Sequence, residues 1–358
     1  MGCCGVYKEV ETVVGGGDGW YLVICCELGS GSLDWQWKLQ LIAPVMVRYT
    51  IGLCSVWCSL QTMAICGNGE QKNMSVTLLN PFSGSTIGLP PIKDLPKFEE
   101  EEEEEDEVDR SDEPPFYEYL VYKAIWSADL ALSPDDYIVT AIYDDRRCLA
   151  FFQSGDKAWT YIENKRFDLI FDVIYYKGQI FAVDYWGGVI RIDVNSRDGA
   201  CKAPKVKIIA PRTKLFAEHT YLVESSSGDL LFVQRFMKEI GDDLQHETLG
   251  FKVFKLLELP HKKGYAKRIQ VKSLGGDAMF LGDSHSTRIS ASKFPRCQPN
   301  SIYYTNDYCM FLAYPPYGRR DIGIFNVENG SFGTHYILDP SQRVTPPAIW
   351  IVPIVLGN

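Results

Sequence analysis

Residues 171–194 read FDVIYYKGQIFAVDYWGGVIRIDV, and this stretch decides the fold. β-Branched and aromatic residues dominate three short runs: Phe171–Tyr176, Ile180–Val183 and Val189–Val194. Lys177-Gly178 and Trp186-Gly187-Gly188 separate them. Glycine tolerates the positive φ that a tight hairpin needs, so each separator predicts a turn and each run a strand. Three antiparallel strands in about 25 residues make a meander, the sub-unit of a propeller blade.

The same texture continues on both sides. YIVTAIY (137–143), TYLVESSSGDLLFVQRF (220–236), GFKVFKLLEL (250–259), SIYYTNDYCMFLAY (301–314) and DIGIFNVENG (321–330) are β-branched or aromatic runs broken by Gly, Asp, Asn or Pro. Long helical periodicity is missing, and short helices are expected only near Asp277–Phe280 and Ser290–Phe294. The hairpin glycines Gly178, Gly228, Gly276 and Gly330 lie 50, 48 and 54 residues apart. That interval approaches the ~50-residue kelch-type blade. Radial packing of small sheets leaves few exposed edges, which favours a propeller over a sandwich for so many strands in series. The expectation is an all-β, degenerate kelch-like β-propeller of six or seven blades with few short helices. It covers residues 71–355, and 1–70 form an atypical N-terminal segment that supplies extra strands.

Charge is concentrated. The chain has 358 residues and a formal net charge of -10, yet residues 99–113 alone hold twelve acids and one arginine. The remainder has 34 acidic and 35 basic residues. Nine consecutive acids, Glu99–Glu107, repel one another too strongly to pack, so a disordered acidic loop is expected at 97–115. Without a basic face, nucleic-acid binding is not expected. The most apolar span, Leu39–Cys66, is interrupted by Pro44, Arg48 and Gln61, and no membrane association is expected. The start MGCCG has Val6 where a myristoylation signal has Ser or Thr, and no secretory leader is evident. A cytoplasmic or nuclear location is the expectation.

Motifs that carry chemistry are not apparent. The eleven cysteines form no C-x-x-C pair and seven precede residue 67, whereas all five histidines follow it, so free thiols rather than a zinc site are expected. GSGSL (29–33) and GNGE (67–70) lack the Lys-Ser/Thr of a phosphate loop. Asp283-Ser284-His285 are adjacent, and triad members must converge from separate segments. Asp135-Asp136 after Ser133-Pro134 reads as a turn. No catalytic residue, metal or cofactor is expected. Trp126, Trp159 and Trp350 are expected in the core. Tyr185-Trp186, ahead of a double-glycine turn, are the candidate partner-binding residues, because loops at the ends of propellers carry recognition.

Several segments resemble one known family. VTLLNPFSGSTIGLPPI (76–92), LSPDDYIVTAIY (132–143), CLAFFQSGDKAWTYIE (148–163), FLGDSHSTRISASKFP (280–295), NSIYYTND (300–307) and PPAIWIVP (346–353) look like the plant F-box/KIB-type β-propeller family. The resemblance implies a non-catalytic interaction propeller that recognises a substrate for an SCF-type ubiquitin ligase, with a Skp1-type adaptor as partner. Residues 1–70 show no amphipathic Leu-Pro start and no Cys-Lys-x-Trp-like end of an F-box. The alternative is therefore a propeller-only binding scaffold that does not couple to Skp1.

Overall fold

The computed structural model describes residues 21–28, 35–42, 58–65, 72–79, 86–92 and 121–334, apart from 128–134, 144–146, 163–166, 168, 195–203, 241–244, 259–264, 283–285, 294–296 and 306–320. The acidic segment, Asp283–His285 and Trp350 lie outside them. The first strands are β1 (Tyr21–Leu28) and β2 (Trp35–Ile42), paired as a hairpin. Next come β3 (Cys58–Ile65), β4 (Lys72–Leu79) and β5 (Thr86–Ile92), an antiparallel three-stranded sheet.

Four larger sheets follow. The first blade contains β6 (Val121–Trp126), β7 (Ile138–Tyr143), β8 (Cys148–Gln153) and β9 (Thr160–Ile162). The second contains β10 (Ile170–Tyr176), β11 (Gln179–Asp184), β12 (Val189–Asp193) and β13 (Lys205–Ala210). The third contains β14 (His219–Glu224), β15 (Leu230–Ile240), β16 (Gln245–Leu257) and β17 (Lys267–Val271). Each of these three is an antiparallel meander in chain order. The fourth contains β18 (Asp277–Leu281), β19 (Thr287–Ser290), β20 (Ser301–Tyr304), β21 (Gly323–Asn326) and β22 (Phe332–Gly333), in the order β19-β18-β20-β21-β22. Here β18 pairs antiparallel with β19 and parallel with β20. A parallel pair needs a crossover, and the 3₁₀ turn Ala291–Lys293 lies on it.

The molecule is thus an all-β propeller, with almost no helix among the described residues. The described residues form four blades, not the expected six or seven. Successive blades begin at Val121, Ile170, His219 and Asp277, 49, 49 and 58 residues apart, so Val121–Gly333 holds four of them. Of the four spaced glycines, Gly178, Gly228 and Gly330 sit at positive φ in hairpins within blades. Gly276 precedes β18, between blades, so the regular interval mixed two kinds of turn. The helix expected at Asp277–Phe280 is strand β18, a run of five buried residues. That at Ser290–Phe294 is, among the described residues, the 3₁₀ turn Ala291–Lys293.

Blade stacking explains why the strands are apolar on both sides. Every residue of β7 is buried, as expected for a strand covered on both faces. Ile125, Ile142 and Leu149 of the first blade meet Val173, Ile180 and Ile190 of the second. Val183 and Val189 meet Leu222 and Phe232 of the third, and Val233 and Val253 meet Met279 and Ile302 of the fourth. The three-stranded sheet continues the series: Leu78, Leu89 and Ile92 pack on Val139, Tyr143 and Phe152. Trp159 Nε1 donates to the Pro90 carbonyl at 2.7 Å. By contrast the outer strand β17 is half-exposed, with Lys267 and Ile269 facing water. A charged outer strand discourages edge-to-edge pairing.

One residue joins all four blades. Asp172 on β10 is fully buried and ion-paired with Lys123 of β6. Its carboxylate accepts from Val173 N at 2.8 Å, from Leu222 N of β14 at 2.8 Å and from Ser286 Oγ, just before β19, at 3.0 Å. Lys123 Nζ also donates to Ser286 Oγ at 3.3 Å. The innermost strands therefore converge on one carboxylate.

Candidate functional site

Because the chain reverses at every strand, the loops after the second and fourth strands of a meander emerge at one end of the propeller, here termed the upper face. The inner strands also begin there. The turn Tyr185–Gly188 follows β11, the loop 211–218 follows β13, and Arg147 precedes β8. Phe171 and His219 lie at the starts of β10 and β14.

On this face aromatic rings form a continuous row. Trp186 and Tyr185 meet edge-on with centroids 5.0 Å apart, and Tyr185 meets Phe216 at 5.0 Å. Tyr185 contacts Phe171 at 5.2 Å, and Phe171 stacks on His219 at 4.7 Å. The outer end of the row is open to water: Trp186 is 44%, Leu215 44% and Phe216 42% exposed. The inner end, Phe171 and His219, is buried. Of the two sequence candidates, Trp186 is exposed and Tyr185 half-buried, linking Trp186 to the interior. Trp126 and Trp159 are core residues, as expected.

The row is held by polar contacts that leave its apolar surface free. Thr213 N donates to the Trp186 carbonyl at 2.9 Å, and Gln234 Nε2 donates to the Leu215 carbonyl at 3.0 Å. Arg268 Nη2 donates to the carbonyls of Gly187 at 2.6 Å and Pro211 at 2.8 Å, tying turn and loop to the third blade. Burial pushes the Arg268 pKa below its ordinary value. Asp184 closes the turn, accepting from Gly188 N at 2.6 Å and pairing with Arg212 Nε at 3.3 Å. Burial raises its carboxyl above the usual range, and the Gly188 amide and Arg212 oppose that shift. The exposed rings are therefore fixed before any partner arrives, which lowers the ordering cost of binding.

Gly187 makes the close approach possible. It has φ +73°, and a Cβ there would lie 2.9 Å from Thr213 Cγ2 and 3.2 Å from Phe232 Cζ. Gly187→Ala is expected to cost about 2 kcal/mol, from left-handed backbone strain and contact with Thr213. A fall in the urea unfolding midpoint at unchanged m-value measures it.

Sequence reasoning missed Leu215, Phe216, Phe171, His219 and Arg147. Leu215-Phe216 inside the otherwise polar PRTKLFAE (211–218) is the signal that could have found the first two. The charged run Asp144-Asp145-Arg146-Arg147 between two apolar runs reads as a hairpin turn facing water, yet Arg147 is buried, its guanidinium 4.6 Å from the Tyr122 ring centroid and 5.1 Å from that of Phe171. Asp135-Asp136 form the expected exposed turn. The Lys123–Ser286–Asp172 cluster places a nucleophile type beside a base type. All three are at most 3% exposed, and the hydroxyl is engaged with both neighbours. That arrangement ties the inner strands of the blades to one another.

Comparison with known proteins agrees with this architecture. The F-box protein SKIP23 of Arabidopsis thaliana is 26% identical over 214 residues, covering 57% of this chain and 51% of that protein. The putative F-box protein At5g55150 of the same plant is 24% identical over 243 residues, covering 67% and 61%. The chain thus spans between about half and three-fifths of the length of these relatives. The family described as KIB1-4 beta-propeller matches residues 36–326. Small β-sheets packed in series and this match over most of the chain lead to one assignment: the chain belongs to the KIB1-4 beta-propeller family.

Proposed function

We propose that this propeller is a non-catalytic protein-recognition module, and that it serves as a substrate-recognition subunit of an SCF-type ubiquitin ligase. The observation that carries the recognition role is the exposed Trp186–Phe216–Leu215 cluster, held rigidly on the loop-bearing face. Buried tryptophan and its ring neighbours dominate interface energetics, and a preformed cluster avoids an ordering penalty. The F-box relatives support the ligase half of the reading, with a Skp1-type adaptor as second partner.

A second reading is favoured by the N-terminal strands. Tyr21–Leu28, Trp35–Ile42 and Cys58–Ile65 are extended, so these residues are not themselves a helical F-box, and a scaffold that does not engage Skp1 is the alternative. Co-purification of the chain with a Skp1-type adaptor separates the two. Adaptor recovery supports the ligase subunit; a chain that holds a substrate protein but never the adaptor is the scaffold. In either case Trp186→Ala with Phe216→Ala is expected to weaken the substrate at least tenfold, with the unfolding midpoint and any adaptor binding unchanged. Undiminished substrate binding in that double variant would overturn the recognition face.

A further inference from the structure

The chain contains two Asn-Gly pairs, Asn68-Gly69 and Asn329-Gly330. The first lies outside the described residues. The second occupies the tip of the hairpin between β21 and β22, at the edge of the fourth blade. Glu328, Asn329, Gly330 and Ser331 are all exposed, so water reaches the tip. Gly330 sits at φ +72°, and nothing lies within 4 Å of the place a Cβ would take. No side chain therefore shields its backbone nitrogen. The Asn329 side chain turns forward over that nitrogen: its Oδ1 accepts from Ser331 N at 2.9 Å. This bond closes a ring that contains both Asn329 Cγ and Gly330 N, which keeps electrophile and nucleophile close. The Ser331 amide also polarises the carboxamide, as an oxyanion donor does. Asn326 fixes the rest of the turn, its Oδ1 accepting from Glu328 N at 3.0 Å and Asn329 N at 3.1 Å. One contact opposes reaction, because Gly330 N donates to the Asn326 carbonyl at 2.9 Å. The strand beyond it, Phe332–Gly333, is short and exposed, and such an end opens at little cost.

We infer that Asn329 is a site of spontaneous covalent modification, deamidating through a succinimide to aspartate and isoaspartate, and that isoaspartate there releases β22 from the fourth blade. Gly330 N loses its proton to hydroxide and attacks Asn329 Cγ. The new C–N bond closes the ring, while the side-chain nitrogen takes a proton from water and leaves as ammonia. Water then opens the ring. Cleavage at Cγ gives aspartate, and cleavage at the Asn329 backbone carbonyl gives isoaspartate, with the chain continuing through Cγ. No oxidant, metal or further reactant is needed. Isoaspartate lengthens the backbone by a methylene and sets a carboxylate beside Glu328. Two contacts depend on the unmodified turn: Asn326 N donates to the Ser331 carbonyl at 2.9 Å, and the Phe332 ring meets Phe325 at 5.1 Å. Phe332 is already 50% exposed, so little apolar burial resists its detachment. The site is independent of the recognition face.

The test incubates the full chain in neutral buffer and, in parallel, in urea, and follows each asparagine by peptide mass spectrometry. Enzymatic carboxyl methylation identifies isoaspartate. In the native chain Asn329 is expected to convert at least about tenfold faster than Asn300 or Asn326, which precede serine and valine rather than glycine. Its native rate is expected to stay within about tenfold of the rate in urea, because the folded turn keeps the reacting atoms together. Asn329→Ser removes the mass change from that peptide and keeps the native unfolding midpoint. An Asn329 that survives in the native chain but converts in urea shows that the hairpin protects it, and overturns the inference. Hydrogen exchange tests the second half. Amides of Gly323–Gly333 are expected to exchange faster in the purified isoaspartate form than in the native chain, whereas Asn329→Asp, with the charge but an ordinary backbone, matches the native chain. Equal exchange in the isoaspartate form and the native chain sinks the release of β22. Faster exchange in Asn329→Asp assigns the effect to charge and sinks it too.

Discussion

Asp172→Ala is expected to lower the unfolding free energy by about 3–5 kcal/mol, the range for breaking a buried ion pair from one side. Lys123 is 3% exposed and would keep its place with no carboxylate beside it. The amides of Val173 and Leu222 and the Ser286 hydroxyl lose an acceptor in the same stroke. Since these groups belong to different blades, the damage falls on the contacts between blades rather than on one sheet. Urea unfolding followed by circular dichroism measures the loss. Lys123→Met in the Asp172→Ala background should recover part of it, because no unpaired charge then remains buried. A single variant within 1 kcal/mol of the native chain would show that the four inner strands hold together without this carboxylate.

Arg235→Met is expected to cost a similar ~3–5 kcal/mol, by the same logic at the junction of the third and fourth blades. Arg235 is fully buried. Its Nε donates to Thr248 Oγ1 at 2.8 Å, Nη1 to the Thr305 carbonyl at 2.7 Å, and Nη2 to Asp321 Oδ2 at 3.0 Å. The guanidinium also lies 4.7 Å from the Tyr304 ring centroid, in an interior dry enough to push that tyrosine up to about 12. Arg235→Lys should not rescue the loss. Lysine restores a point charge without the planar fork, so about 2 kcal/mol remains missing. The same urea experiment checks both variants, and equal stability of Arg235→Lys and native protein would refute the fork argument.

Local pattern carried much of the fold. In residues 171–194 the Lys177-Gly178 turn is real: both residues have positive φ, and Tyr176 faces Gln179 across it. The apolar runs YIVTAIY (137–143) and CLAFFQ (148–153) are strands β7 and β8, with Asp144–Arg146 outside the described residues. Asp172 shows where such reading stops. It sits in an alternating apolar run and looks like the polar partner of Phe171 and Val173. Its actual partners are 49 residues earlier, in Lys123, and 114 residues later, in Ser286. No period of two reveals that. Blade number escaped for a related reason: glycine spacing records turns, whereas a blade is defined by which strands pair. In the fourth sheet that pairing includes a parallel crossover.

The candidate site divides in the same way. Trp186 is identifiable from the chain because a tryptophan beside two glycines belongs to a turn, and turns face water. Phe216, 30 positions later, becomes its neighbour only when β12 and β13 return the chain to the same end. Arg147 is read locally as a solvated turn residue, and blade stacking buries it between rings contributed by β6 and β10. Strand identity, turn positions and the all-β class follow from short-range preferences written in the residues themselves. The Asp172 network, the buried setting of Arg147 and the aromatic row depend on contacts between blades, and those exist only after the sheets have packed.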